Sequence, residues 1–228
     1  MVFIELQATG IRRVQTWRGA VALGMAAFGF SAVPVAAAEL FVPPHVDHSS
    51  FVQSISEYAD AFGVDEARGG FAFSNLEMDV NHWLVPDVTS LNKARFDSVE
   101  FEVLFRSPSP DIFRWIGSPR PSVGGLVNLG GYENLVHAGL DWHLPIPNTP
   151  LYLEAGIGGG LHTGYANNAP AGFHDTGCPA LFHYEYGIGA NLSDHVTATL
   201  QWQHMSSLYL CNPNQGLNHL GVEIGWKF

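Results

Sequence analysis

The sequence predicts an all-β protein, an eight-stranded antiparallel transmembrane β-barrel of the outer membrane. Three observations lead there. An export leader opens the chain, and no later run approaches the ~20 apolar residues that a membrane-spanning helix needs. Segments of roughly ten residues follow, with apolar side chains at alternate positions and Gly, Pro, Asn and Asp between them. The last segment, Gly216 to Phe228, repeats this pattern and finishes on an aromatic residue, which resembles the assembly signal of outer-membrane proteins.

In chain order, Arg12, Arg13 and Arg18 form a basic start, the run from Gly19 to Val35 is apolar, and Ala36-Ala37-Ala38 offers a cleavage site. Residues 1–38 are therefore expected to be a signal peptide. Residues 39–68 are expected to form a periplasmic extension with a short helix around Ser54–Phe62, and residues 69–228 the barrel. The eight strand segments fall near 70–82, 96–107, 119–130, 133–144, 150–162, 181–192, 195–206 and 217–228. With both termini periplasmic, the short connections Pro145–Pro150 and Leu192–His195 are periplasmic. The long ones, Gly164–Ala180 and Ser207–Gly216, lie outside. Ser107–Pro119 breaks the rule, being long and periplasmic.

The final segment shows which way the side chains divide. Asn218, Leu220, Val222, Ile224, Trp226 and Phe228 share one face, and His219, Gly221, Glu223, Gly225 and Lys227 the other. Apolar outside with polar or small residues inside is the membrane-barrel arrangement, and Trp226 and Phe228 then fall at an interfacial aromatic girdle. A soluble lipocalin-like barrel would turn the same stripe inward. Glycines and a glutamate suit a narrow polar lumen better than a ligand cavity.

The charge of −11 argues against a nucleic-acid partner, which needs clustered Lys and Arg. The two cysteines, Cys178 and Cys211, both fall in outer loops of an exported chain, so a disulfide between them is expected.

The seventh segment carries the chemistry. Val196, Ala198, Leu200, Trp202, His204 and Ser206 share its lipid-facing side, so a His and a Ser extend an apolar stripe. Polar groups there are costly unless they pair or work. A His nitrogen that takes the Ser hydroxyl proton makes that oxygen nucleophilic. Asn218 begins the outward face of the next strand and can fix the imidazole's orientation and tautomer.

Gln203-His204-Met205-Ser206-Ser207, Cys211-Asn212-Pro213-Asn214-Gln215-Gly216-Leu217 and Gly221 through Phe228 resemble the acyloxyacyl hydrolase, or lipid A 3-O-deacylase, family of outer-membrane barrels. The paired cysteines resemble its alphaproteobacterial subgroup. The resemblance implies hydrolysis of an ester-linked 3-hydroxyacyl chain on lipid A of lipopolysaccharide in the outer leaflet. Ser206 would be the nucleophile and His204 the base, with no metal or other cofactor. Asn214 and the backbone amides near Ser207–Tyr209 would support the oxyanion. Asn218 stands where the family carries Glu, and Ser207 where it carries Asn. Leu208-Tyr209 replace Ala-Gly. The implied partner is outer-membrane lipid, and a homodimer is a compatible assembly. The competing reading is a structural or adhesive barrel of the same fold without catalysis.

Other residues point to simpler roles. His162, His174 and His183 gather around one outer loop without ligand-like spacing, so no metal site is expected there. Asp141, Glu185 and Glu223 are expected inside the barrel as part of a polar network. Gly156, Gly158, Gly159 and Gly160 lack the following helix of a phosphate loop and read as glycines of a tight barrel strand.

Overall fold

The computed structural model describes residues 48–78 and 86–228. Its strands pair antiparallel, each with the next, and the eighth returns to the first to close a barrel. They are β1 (Val64–Ser74), β2 (Arg95–Phe105), β3 (Arg120–Asn128), β4 (Leu135–Pro145), β5 (Leu151–His162), β6 (Ala180–Asn191), β7 (Val196–Ser206) and β8 (Leu217–Lys227). Closure satisfies every strand from both sides, which hydrocarbon demands because it offers no water to an open edge.

From β2 to β8 the strands match the expected segments to within two residues at each end. The first strand does not. It spans Val64–Ser74 where the sequence suggested 70–82, so the barrel begins before residue 69. Its inward positions are Glu66, Arg68 and Gly70, which hide the apolar alternation that marks the other strands. Residues 79–82 of the expected segment lie outside the described residues, as do the expected leader, 1–38, and the first part of the extension, 39–47.

The barrel is inside-out. Phe71, Phe101, Val123, Val136, Ile157, Val222 and Ile224 are exposed on its outer wall, while Glu66, Glu102, Glu154, Thr197 and Glu223 are buried within it. Such a belt on a closed barrel is what lipid requires and water penalises. Among the described residues no helix is long and apolar enough to cross a membrane. Asp141 and Glu185 are both buried inside, as expected.

Polar lumen groups are affordable only when paired. Around Arg68 they are. Its guanidinium donates to Glu66 at 2.9 and 3.2 Å and to both carboxylate oxygens of Glu154, one at 2.7 Å. Arg120 adds a 2.8 Å bond to Glu66, and the Thr197 hydroxyl donates to the same carboxylate at 2.5 Å. Nearer the long loops, Ala72, Leu126, Leu135, Leu181, Met205 and Leu217 form a buried apolar cluster.

Helix α1 (His48–Phe62) precedes the barrel and is longer than the short helix expected around Ser54–Phe62. It ends at Gly63, whose φ of +69° suits a C-terminal cap. The Gly63 carbonyl accepts the Arg106 amide at 2.8 Å, and the Arg106 side chain pairs with Asp60. These contacts tie the helix to the end of β2. Phe51, Ile55, Tyr58 and Phe62 are exposed at helical spacing. A short α2 (Asp111–Trp115) occupies the long connection between β2 and β3.

Replacing Arg68 would leave buried Glu102 without its cation, and Glu66 and Glu154 with Arg120 alone. Arg68→Met is expected to lower the unfolding free energy by about 3–5 kcal/mol, measured by urea titration of the barrel in lipid vesicles. A loss below about 1 kcal/mol would contradict the role given to this network.

Candidate active site

Strand register assembles the site. On β7, His204 lies opposite Tyr184 of β6 and Asn218 of β8, and Ser206 lies opposite Phe182. Directly opposed residues share a face. His204, Ser206, Asn218, Tyr184 and Phe182 therefore all stand on the outer wall, at the end that carries the long loops. Lower on the same stripe Leu200 is exposed, but at this height Ser206 and Asn218 are only 6% and 7% exposed and His204 is half-buried.

Two hydrogen bonds fix the imidazole. His204 Nδ1 lies 2.6 Å from Asn218 Oδ1, and Asn218 Nδ2 donates to the Leu76 carbonyl at 3.1 Å. The second bond decides the first. A carbonyl can only accept, so the amide nitrogen faces Leu76 and the amide oxygen faces the ring. His204 Nδ1 must then carry the hydrogen, and Nε2 is left with a lone pair. The Tyr184 ring lies against the imidazole with centroids 4.8 Å apart. On another side is Gly216, where an added Cβ would sit 2.5 Å from His204 Cε1. No hydrogen bond joins His204 to Ser206 among the described residues. Catalytic pairs commonly stand apart in the free enzyme and tighten around substrate.

The loop after β7 is tightly braced. Asn214 Oδ1 accepts both the Ser207 amide at 2.8 Å and the Ser207 hydroxyl at 2.6 Å. The Ser207 hydrogens are committed to Asn214, so this pair holds the loop and does not offer a free Ser207 donor for an oxyanion. Leu208 and Tyr209 follow with φ of 48° and 63°, and the Leu210 amide returns to the Ser207 carbonyl at 3.0 Å. Two consecutive non-glycine residues in the left-handed region cost of order 1–3 kcal/mol each, and such strain collects at functional sites.

The expected disulfide between Cys178 and Cys211 is present, with Cα atoms 5.9 Å apart. It joins this loop to the one between β5 and β6. Asp175 and Gln215 reinforce the junction, the Asp175 amide donating to the Gln215 side chain at 2.7 Å and the Gln215 amide to the Asp175 carbonyl at 2.9 Å. Gly177 passes so close to Pro213 that a Cβ would overlap the Pro213 carbonyl oxygen, and its φ of +80° favours glycine too.

The three loop-associated histidines part company. His162 accepts the Gly164 amide at 3.0 Å through Nδ1 and lies 2.9 Å from the Thr176 hydroxyl through Nε2, a structural role. His183 is buried in the lumen with its ring 4.2 Å from that of His137. Sequence reading missed Tyr184, Leu76 and Gly216 as parts of the site. Tyr184 was accessible through strand pairing, and Gly216 through its place before β8. The Leu76 carbonyl carries no side-chain signal.

Comparison with known proteins adds the family. The model of the family described as lipid A 3-O-deacylase (PagL) matches residues 99–227, more than half of the chain. Among solved structures, the outer membrane enzyme PagL is similar at 12% identity and a TM-score of 0.45, over 71% of this chain and 99% of that one. The N-terminal β-barrel domain of Pseudomonas aeruginosa OprF is similar at 10% identity and 0.45, over 72% and 98%. Neisserial surface protein A is similar at 11% and 0.42, over 72% and 96%. No curated protein matches the chain in sequence.

The packing of Gly216 on the imidazole yields a test of whether this geometry matters. Gly216→Ala is expected to displace the ring and reduce ester hydrolysis by at least about tenfold, with the barrel still folded by heat-modifiable gel mobility. Removing both cysteines is expected to do the same to activity more than to barrel stability, because the bridge joins loops and no strands. Unchanged turnover in both variants would show that the braced loop is not part of the site.

Proposed function

As the chain belongs to the lipid A 3-O-deacylase family, we propose that it is an outer-membrane ester hydrolase that removes an ester-linked 3-hydroxyacyl chain from lipid A by Ser-His catalysis. The observation that carries this reading is the His204–Asn218–Leu76 relay, which leaves Nε2 as the basic nitrogen on the side chain two residues from Ser206. A polar pair on a lipid-facing wall serves an ester that lies in the same leaflet, so no tunnel is needed for acyl chains to reach it.

The steps follow from the groups present. Ser206 Oγ attacks the ester carbonyl carbon while His204 Nε2 takes its proton. The resulting oxyanion is met by the amides of Leu208 and Tyr209 and by the Asn214 side-chain NH2. His204 returns the proton to the departing sugar oxygen, leaving a free hydroxyl on lipid A and an acyl-Ser206 ester. Water, deprotonated by His204, then releases the 3-hydroxy fatty acid and restores Ser206.

Asn218 holds the ring and its tautomer but carries no charge to stabilise the imidazolium. In serine hydrolases where an Asp→Asn change costs about 10⁴-fold, the amide selects the wrong tautomer. Here the Leu76 carbonyl orients the amide correctly, so the penalty is confined to the missing charge. Asn218→Ala is therefore expected to lower kcat by about 10–100-fold. The test of function is the lipid A mass profile of a Gram-negative host expressing the protein. Wild type should remove the mass of one hydroxyacyl chain and Ser206→Ala none. A profile unchanged by the wild-type protein would leave the reading of a non-catalytic barrel.

A further inference from the structure

We propose that the barrel lumen holds one divalent transition-metal ion of the zinc class, bound by His137, His183 and Glu185. This site is separate from the esterase reading and stands or falls without it. One ligand atom from each of the three residues lies within 4.8 Å of the others, and the two imidazole rings are 4.2 Å apart. Two imidazoles and a carboxylate are a zinc-type donor set.

The site is built by three neighbouring strands. His137 projects inward from β4, and His183 and Glu185 from β6. Between them, β5 presents Gly160 opposite His137, Gly158 opposite His183 and Gly156 opposite both Glu185 and Asp141. Side chains at these positions would fill the space. A Cβ on Gly156 would lie 2.8 Å from Glu185 Cγ, and one on Gly124 of β3 would lie 2.6 Å from His137 Nε2. The glycine run thus opens a pocket into which the flanking strands lean.

The ligands have few other partners, with Gln203 beside His183 and Asp141 beside Glu185. His137, His183 and Glu185 are 5%, 4% and 3% exposed. His137 Nδ1, His183 Nε2 and both oxygens of Glu185 make no hydrogen bond among the described residues. His183 Nε2 and Glu185 Oε2 are 3.7 Å apart, too far for a hydrogen bond. That gap is a few tenths of an ångström from the ~3.3 Å separating two ligands of a tetrahedral zinc ion. Buried polar groups seldom stand unpaired without a reason.

Charge separates this cluster from its neighbour. Glu102, Glu154 and Glu185 also converge, but Arg68 already occupies the Glu102 and Glu154 side of that group. Among the described residues no such cation reaches His137 and His183. Asp141 Oδ2, Glu100 Oε1 and Glu223 Oε2 are likewise buried without a hydrogen-bond partner. A divalent ion on two neutral imidazoles and one carboxylate leaves a single positive charge, which Asp141, across Gly156, can balance. The ion would pin β4 to β6 over the thin glycine strand.

The test refolds the purified chain in detergent with zinc or cobalt present, since the three ligands are buried in the folded barrel. Unbound metal is removed, and metal per folded chain is counted by mass spectrometry. One equivalent is expected in the wild type, and less than a tenth of that in the His137→Asn, His183→Asn double variant. His195→Asn, on the surface, should keep the full equivalent. Cobalt gives a readout that needs no variant, an intense visible absorption from four-coordinate metal. A folded wild-type barrel that retains no metal would overturn the proposal. So would a weak six-coordinate cobalt spectrum, or full retention by the folded double variant.

Discussion

Along the seam where β1 meets β8, Ala67 pairs with Trp226, Gly69 with Ile224 and Phe71 with Val222. This pairing turns a sheet into a tube, and the rest of the molecule depends on it. With no free edge, no strand can slip by one residue without moving its whole outward set into the lumen. The register is therefore locked all the way round. The same locking puts His204, Ser206 and Asn218 on the outer wall together. The geometry of the candidate site is thus a consequence of closure before it is a consequence of any local contact.

Closure also sets two different demands on side chains. Outside, apolar groups meet lipid and need only cover the wall. Inside, a narrow lumen excludes most water, so each charge must find a partner. Around Arg68 the chain meets that demand with ion pairs. Beside β5 it places two histidines and several carboxylates around glycines with no arginine among them. The two halves of the lumen thus solve the same electrostatic problem by different means. In the upper half the solution is the metal proposed here.

Much of the fold was legible because a strand's period of two leaves a simple trace. The alternation from Leu220 to Trp226 identified both faces of β8, and the same rule placed His204 and Ser206 on the lipid side. It failed at β1, where Glu66 and Arg68 take the inward positions and no apolar rhythm remains until Phe71. The site was legible in its side chains and opaque in its backbone. His204, Ser206 and Asn218 could be grouped by parity, and Cys178 and Cys211 by their loops. The Leu76 carbonyl could not be found, because its identity as an acceptor depends on how a distant loop folds over β8. Nor could the role of the glycines on β5 be read. A glycine records that space is needed there, and only the neighbours at His137 and His183 show what the space is for.

In the proposed reaction Ser206 is made nucleophilic on the lipid face by an imidazole that Asn218 and Leu76 hold in one tautomer. Labelling with a lipid-tailed fluorophosphonate, followed by peptide mapping, reports on this serine itself. A single adduct on Ser206 is expected, formed at least about tenfold more slowly when His204 is replaced by Ala. Absence of an adduct on the folded wild-type barrel, or an adduct on a different serine, would contradict it.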